Sequence, residues 1–97
     1  MSKAVLITAT DTWKIQGDLS FETTPELFET AREVMRERLP VCIDLESVER
    51  VESAGVALML DWIRTVRTHD RTLQFSNVPD HMRSIAALCG VGHLLAS

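Results

Sequence analysis

The residue types that most often carry catalysis or metal binding are scattered along this sequence. Its three histidines, His69, His81 and His93, lie in three separate segments, so no two of them have the spacing of a metal-binding pair. The glycines form no phosphate-binding loop, and the carboxylates form no recognisable acid–base pair. These patterns predict a protein that is not an enzyme, has no catalytic residues and binds neither a metal nor another cofactor.

Length, composition and charge narrow the class of protein further. The chain has 97 residues, so we expect a single domain over residues 1–97. Hydrophobic residues make up 45% and charged residues 25%, the usual balance of a globular domain, which argues against a disordered tail or a coiled coil. The net charge of −4 predicts that nucleic acid is not a partner.

No segment has the pattern of a membrane span or a secretory signal. Apolar runs such as residues 55–60 are far shorter than the ~20 residues of a membrane helix. The apolar run at residues 4–7 is too short for a signal sequence. Cys42 and Cys89 form no Cys-x-x-Cys motif and are predicted to be buried, reduced thiols. We therefore expect a cytoplasmic protein without direct membrane insertion.

Strand and helix patterns alternate along the chain. Helices are predicted at residues 25–39, 53–68 and 80–89, and strands at residues 4–9, 13–16, 41–45 and 72–76. Gly17 and Asp18 are predicted to end the second strand, and residues 46–52 to form a polar connector. The order strand, strand, helix, strand, helix, strand, helix predicts an α/β fold with a mixed sheet.

The second predicted helix has two contrasting faces. One face gathers the apolar side chains, and we expect it to be buried together with Ile43 and Phe75 of the strands; it holds Gly55, Met59, Trp62, Ile63 and Val66. Gly55 within this face suggests a close approach of the helix to the sheet. The opposite arc holds Ser53, Ala57, Leu60, Asp61, Arg64 and Arg67. A leucine among small residues and arginines is typical of a modest protein-binding face, but a single incidentally exposed leucine fits the pattern equally well.

Ser53, at the predicted start of this helix, has two interpretations. As an N-cap, its hydroxyl accepts a backbone N–H of the first turn and contributes about 1 kcal/mol of stability. As a switch, it carries a phosphate, which the positive end of the helix dipole tolerates and which places a charge of about −2 on the exposed face.

The segment around this helix start resembles the signature of STAS domains, the fold shared by anti-sigma factor antagonists and sulfate transporter tails. Their pattern is a buried strand, a connector, an acidic residue, one or two Ser or Thr residues, a glycine and an apolar helix. Here it reads Ile43-Asp44-Leu45 and then Val51-Glu52-Ser53-Ala54-Gly55-Val56. Residues 48–60 are most similar to the MlaB-like branch, whose members are small proteins of Gram-negative bacteria that bind the ATPase of a phospholipid ABC transporter.

The resemblance implies a STAS-like domain over essentially the whole chain. It implies a small cytoplasmic subunit that binds the transporter ATPase and is peripheral to the inner membrane through that partner, in a system that maintains outer-membrane lipid asymmetry. The start of the second helix is the implied point of contact. The face predicted to bind the partner holds Ser53, Ala57, Leu60, Arg64 and Arg67, with Leu60 as an apolar anchor and the two arginines as a charged rim.

The alternative within the family is an anti-sigma factor antagonist that is regulated by serine phosphorylation. Such antagonists carry Asp-Ser-Ser-Gly, with the phosphorylated serine directly before the glycine. In this chain Ala54 occupies that position and Glu52 replaces the aspartate, so Ser53 is the remaining possible phosphorylation site. These departures favour constitutive partner binding over a phosphorylation switch.

Overall fold

The computed structural model describes residues 2–95, and its strands and helices alternate much as predicted. In chain order the elements are β1 (Ala4–Thr8), β2 (Thr12–Leu19), α1 (Thr24–Met35), β3 (Cys42–Asp44), β4 (Val48–Val51), α2 (Ser53–Arg67), β5 (Gln74–Ser76) and α3 (Asp80–Leu88). A 3₁₀ turn at Gly92–Leu95 follows α3. The predicted α/β class and the three predicted helices are confirmed.

The strands form one mixed sheet around β2. β1 pairs with β2 in the antiparallel direction, whereas β2, β3 and β5 follow one another in parallel. Leu6 of β1 lies opposite Ile15 of β2, and both pack in the core. Val5 and Ile7 point to the other face of the sheet and are exposed. The helices therefore cover one face of the sheet and leave the other open.

The predicted connector at residues 46–52 contains an additional strand, β4, so the predicted element order lacks one strand. β4 pairs in parallel with the last residues of β2. The alternation that usually marks a half-buried strand is broken here by two consecutive charged residues, Glu49 and Arg50, which are both exposed. Of the residues of β4 only Val51 is buried, so the sequence lacks the alternation of apolar and polar residues that would predict a strand.

Gly17 lets β2 continue beyond the point where the sequence predicts its end. Its φ of 102° lies in the left-handed region, and a Cβ at this position would collide with the carbonyl of Lys3. The pairing with β4 shifts register between Gly17 and Asp18, and β2 then runs on to Leu19. This extension carries the central strand to the edge of the sheet where both α1 and α2 begin.

The core lies between the sheet and the helices. The side chains predicted to form it are buried, among them Ile43, Phe75, Trp62, Ile63 and Val66. Trp62 packs against Trp13 of β2 in an edge-to-face arrangement, with ring centroids 5.5 Å apart and an interplanar angle of 86°. This contact attaches α2 to the central strand.

The two cysteines are free thiols, but the prediction that both are buried is wrong. Cys42 is half-buried because it points away from its neighbour Ile43, toward the open face of the sheet. Cys89 is exposed because it follows the last residue of α3, beyond the buried stripe formed by Met82 and Ala86.

Candidate docking surface

The segments that follow β2 and β4 lie side by side at the carboxyl edge of the sheet. The two strands are parallel, and their last residues, Leu19 and Val51, pair with each other. The backbone N–H of Glu52 then donates to the carbonyl of Leu19 at 2.8 Å. The β2–α1 loop, residues 20–23, and the start of α2 are therefore neighbours, and together they form the candidate site.

Gly55 brings the first turn of α2 into direct contact with β2. A Cβ at this position would lie only 2.7 Å from the Cβ of Leu19 and 3.3 Å from its carbonyl oxygen. The predicted close approach of the helix to the sheet is thus confirmed, and it requires glycine. The exposed side of the same turn is consequently held at a fixed position relative to the sheet.

The exposed face of α2 carries the residues predicted to bind a partner. Ser53, Ala57, Arg64 and Arg67 are all exposed, and helical geometry places them on one face about 21 Å long. The opposite face is buried, as predicted; it holds Gly55, Met59, Trp62, Ile63 and Val66, bordered by the buried Val56 and Leu58.

Leu60 is less exposed than the helical wheel predicts. Its side chain is half-buried and packs against the hydrophobic core. It lies one helical turn after the buried Val56, so its side chain reaches the margin of the buried stripe although its position on the helix is within the exposed arc. Leu60 can offer part of its side chain to a partner, but a charge at this position would also disturb the core.

Ser53 does not cap α2. The N-cap residue is Glu52, whose backbone is extended (φ −111°, ψ 170°), and Ser53 is the first helical residue. No side chain makes a capping hydrogen bond at this helix start. The predicted N-cap role of Ser53 is therefore wrong, and its side chain stays exposed to solvent.

The carboxylate of Glu52 contacts the β2–α1 loop instead. Its Oε1 accepts the backbone N–H of Phe21 at 2.9 Å, and its Oε2 lies 3.8 Å from Nη2 of Arg50. The ion pair is largely exposed and contributes little stability by itself. The hydrogen bond involves a charged acceptor, which strengthens it, and it fastens the loop to the start of α2.

The β2–α1 loop is held by its own hydrogen bonds as well. Oγ1 of the buried Thr23 accepts the N–H of Ser20 at 3.0 Å and donates to the carbonyl of Asp18 at 2.7 Å. The backbone N–H groups of Thr23 and Thr24 both donate to the carbonyl of Ser20, at 3.2 and 3.0 Å. The side chain of Phe21 thus projects from a closely hydrogen-bonded turn.

Phe21 is the candidate residue that the sequence analysis missed. It is 68% exposed and is the one exposed aromatic side chain in the described part of the chain. It stands between the polar residues Ser20 and Glu22, where neither a strand nor a helix pattern requires an aromatic residue. A single aromatic residue in a polar loop is the sequence feature that could have identified Phe21 as a candidate binding residue.

Asp44, at the end of β3, joins two further loops at this edge of the sheet. Its carboxylate accepts the side-chain N–H of Asn77 at 3.0 Å and the backbone N–H of Glu46 at 2.9 Å. The Asn77 bond, followed by the Glu46 bond, lowers the pKa of the Asp44 carboxyl below its ordinary value; the charge of Lys14 acts in the same direction, and slight burial opposes it. The group therefore links the loops after β3 and β5.

Three observations concern the rest of the molecule. An open groove of about 440 Å³ lies between α1 and α2 and is lined in part by Phe28, Arg32, Asp61 and Trp62. Within residues 2–95, no cluster of three or more His, Cys, Asp or Glu residues is arranged to hold a metal ion. None of the described helices combines the length and the hydrophobicity that crossing a membrane requires.

This chain is similar to one protein family and to solved structures with the same fold. The family described as MlaB, STAS domain, matches residues 8–96. The anti-sigma factor antagonist SpoIIAA in its unphosphorylated form has a similar structure, with a TM-score of 0.75 and 17% identity, over 97% of this chain and 86% of that chain. SpoIIAA in its phosphorylated form, a Bacillus cell fate determinant, gives a TM-score of 0.69 and 18% identity over 97% of this chain and 89% of that chain. No curated protein is similar enough in sequence to count as a relative.

These findings agree with one another. The mixed sheet and the helices on one of its faces are those of the SpoIIAA fold, although identities this low show the fold alone. STAS domains are typically binding or regulatory domains rather than enzymes. Because the family match extends over residues 8–96, the chain belongs to the STAS domain family, in its MlaB-type branch.

Proposed function

We propose that this chain is a small STAS subunit that binds the ATPase of a phospholipid ABC transporter involved in outer-membrane lipid asymmetry. It acts in the cytoplasm, is peripheral to the inner membrane through the ATPase and inserts no segment of its own. It works by binding and contributes no catalytic residue, cofactor or nucleic-acid contact. The match to the MlaB-type branch over residues 8–96 supports this proposal.

The observation that carries the proposal is the exposed first half of α2 beside the β2–α1 loop. Ser53 and Ala57 are small and exposed, so a partner can approach the helix closely. The contact of Gly55 with Leu19 fixes this turn against the sheet. A surface that is already ordered loses little conformational entropy on binding, which favours affinity.

The remaining residues of the face have graded roles. Leu60 supplies a partly exposed apolar contact one turn beyond the small residues. Arg64 and Arg67 lie at the end of the helix and form a charged rim, which acts mainly on the rate and orientation of association. The face therefore combines small residues and part of one apolar side chain with a charged rim, and a polar rim is usual in protein interfaces.

The test begins with affinity capture of the tagged chain from its native cell and identification of the partner by mass spectrometry. Titration calorimetry with the purified ATPase subunit follows. The wild-type chain and Ser53→Ala should bind, whereas Ser53→Asp should weaken binding because it adds a charge beside Glu52. Arg67→Ala should mainly slow association, by a few-fold at low salt. A wild-type chain that does not bind the ATPase contradicts the proposal.

A second candidate function is that of an anti-sigma factor antagonist, which the exposed position of Ser53 favours because a kinase could reach it. Ala54, directly before Gly55, speaks against it because the resemblance places the phosphorylated serine there. The discriminating experiment is incubation with a serine kinase encoded near the gene, followed by mass spectrometry. Phosphate found on Ser53, and lost in Ser53→Ala, would support this second function.

A further inference from the structure

We propose that Phe21 is the apolar anchor of the docking surface, and that it inserts into a pocket of the ATPase subunit that is bordered by basic side chains. This inference rests on the proposed function, and it adds to it the contact that the loop makes and the chemistry of the partner's surface. It also gives the orientation of the partner along α2.

The exposure and support of Phe21 point to an anchor. Aromatic side chains are enriched among the few residues that dominate the energy of protein interfaces. Phe21 is 68% exposed, while its backbone is tied to Glu52 at 2.9 Å and its loop is closed by the Thr23 hydrogen bonds. A large apolar side chain on an ordered loop can bind without a large cost in loop ordering.

The charges around Phe21 indicate what its partner must carry. Glu22 follows it directly, Glu26 lies in the first turn of α1, and Glu52 contacts its backbone. Two cations share contacts with these carboxylates: Arg50 pairs with Glu52, and Lys3 lines a groove with Glu22 and Glu26. These three carboxylates outnumber the two cations, so a complementary pocket is bordered by lysine or arginine.

The other end of α2 has the opposite sign. Arg64 and Arg67 occupy its last turn, so the exposed face runs from acidic at Glu52 to basic at Arg67. A partner with the reverse order of charges can dock in one orientation only. The acidic surroundings of Phe21 also disfavour an anionic lipid surface as the occupant, since like charges repel.

The first experiment compares Phe21→Ser with Val41→Ser by titration of the purified ATPase subunit. Val41 is also exposed, at 47%, but it precedes β3 at the amino end of the parallel strands, opposite the docking surface. Phe21→Ser should weaken binding at least about tenfold, as loss of a dominant contact does, and Val41→Ser by less than about twofold. Melting temperatures recorded in parallel should stay close to that of the wild-type chain for Phe21→Ser, because the side chain is exposed.

The second experiment tests the sign of the pocket by comparing Glu22→Lys with Glu33→Lys. Both variants change the net charge equally, but Glu33 lies in the last part of α1, exposed and away from Phe21. Glu22→Lys should weaken binding several-fold at low salt, and the difference should shrink at high salt as the charges are screened. Glu33→Lys should have little effect.

The outcomes separate this inference from the proposed function. If Ala57→Asp abolishes binding but Phe21→Ser behaves like Val41→Ser, the anchor is refuted and the proposed function stands. If Glu22→Lys strengthens binding, the pocket is acidic and the inference is again refuted. A wild-type chain without affinity for the ATPase overturns both.

Discussion

The two faces of α2 differ in what holds them in place and in what they can do. The buried face is defined by packing: Trp62 lies edge-on against Trp13, and Gly55 touches Leu19. The exposed face, on which Ala57 lies, packs against little of the rest of the chain and takes its position from the buried face. Because the packing of its buried face fixes α2 in place, the exposed face of the helix is already ordered before any partner binds.

The largest expected difference in stability is between substitutions at two adjacent residues of α2, one on each face. Ile63→Ala removes a buried side chain and should lower the free energy of unfolding by about 2–5 kcal/mol. Arg64→Ala, one residue later on the exposed face, should change it by less than about 0.5 kcal/mol. Urea denaturation measures both. A loss below about 1 kcal/mol for Ile63→Ala would mean that the packing of this face is not what holds α2.

The next effect tests the contact between α2 and β2. Helix propensity alone predicts that Gly55→Ala stabilises the protein by about 0.5–1 kcal/mol. The collision of the new Cβ with Leu19, at 2.7 Å, should reverse this sign and destabilise the protein by about 1–3 kcal/mol. Thermal or urea denaturation decides between the two signs, and a more stable variant would show that the close approach places no constraint on α2.

Leu60 lies at the boundary of the two faces, so its variants should have mixed effects. Leu60→Asp should lower the free energy of unfolding by about 0.5–3 kcal/mol because the side chain is half-buried, and it should also weaken ATPase binding. Leu60→Ala should do both to a smaller extent. Full stability of Leu60→Asp in urea denaturation would place this residue entirely on the exposed face.

The smallest effect concerns Asp44, which lies outside both faces of α2. Its folded-state pKa is lowered, so the stability it contributes is present above the unfolded-state value near 3.8 and is lost as the pH falls through the lower folded-state value. Asp44→Ala should therefore be less stable than the wild-type chain at neutral pH, and the difference should shrink toward pH 3. Denaturation curves across this pH range measure it, and a constant difference would show that ionisation plays no part.

The sequence predicted the buried face of α2 better than it predicted the surroundings of the exposed face. The periodic apolar residues of α2 placed Trp62, Ile63 and Val66 in the core, because burial imposes a pattern that recurs every turn. β4 escaped prediction because Glu49 and Arg50 interrupt the alternation, and its pairing with β2 depends on a register shift far away in the chain.

The sequence predicted the part of the candidate site that lies on α2, because exposure on a helix follows the helical repeat. The exposure of Ser53, Ala57, Arg64 and Arg67 follows from the helical repeat, and the structure agrees. The contact of Glu52 with Phe21 joins residues 31 positions apart, and no local pattern reports it. The capping role expected of Ser53 failed because Glu52 has the extended backbone of the N-cap while its side chain is bound to the loop.

The most direct test of the central claim is the affinity of Ala57→Asp for the purified ATPase subunit, with Ala9→Asp as the matched control. Both alanines are exposed, but Ala9 lies in the turn between β1 and β2, at the far end of the sheet from the start of α2. Binding should fall at least about tenfold for Ala57→Asp, since a buried, unpaired charge is costly in an interface, and should be unchanged for Ala9→Asp. Equal affinities for the two variants, with the wild-type chain bound, would contradict docking through the exposed face of α2.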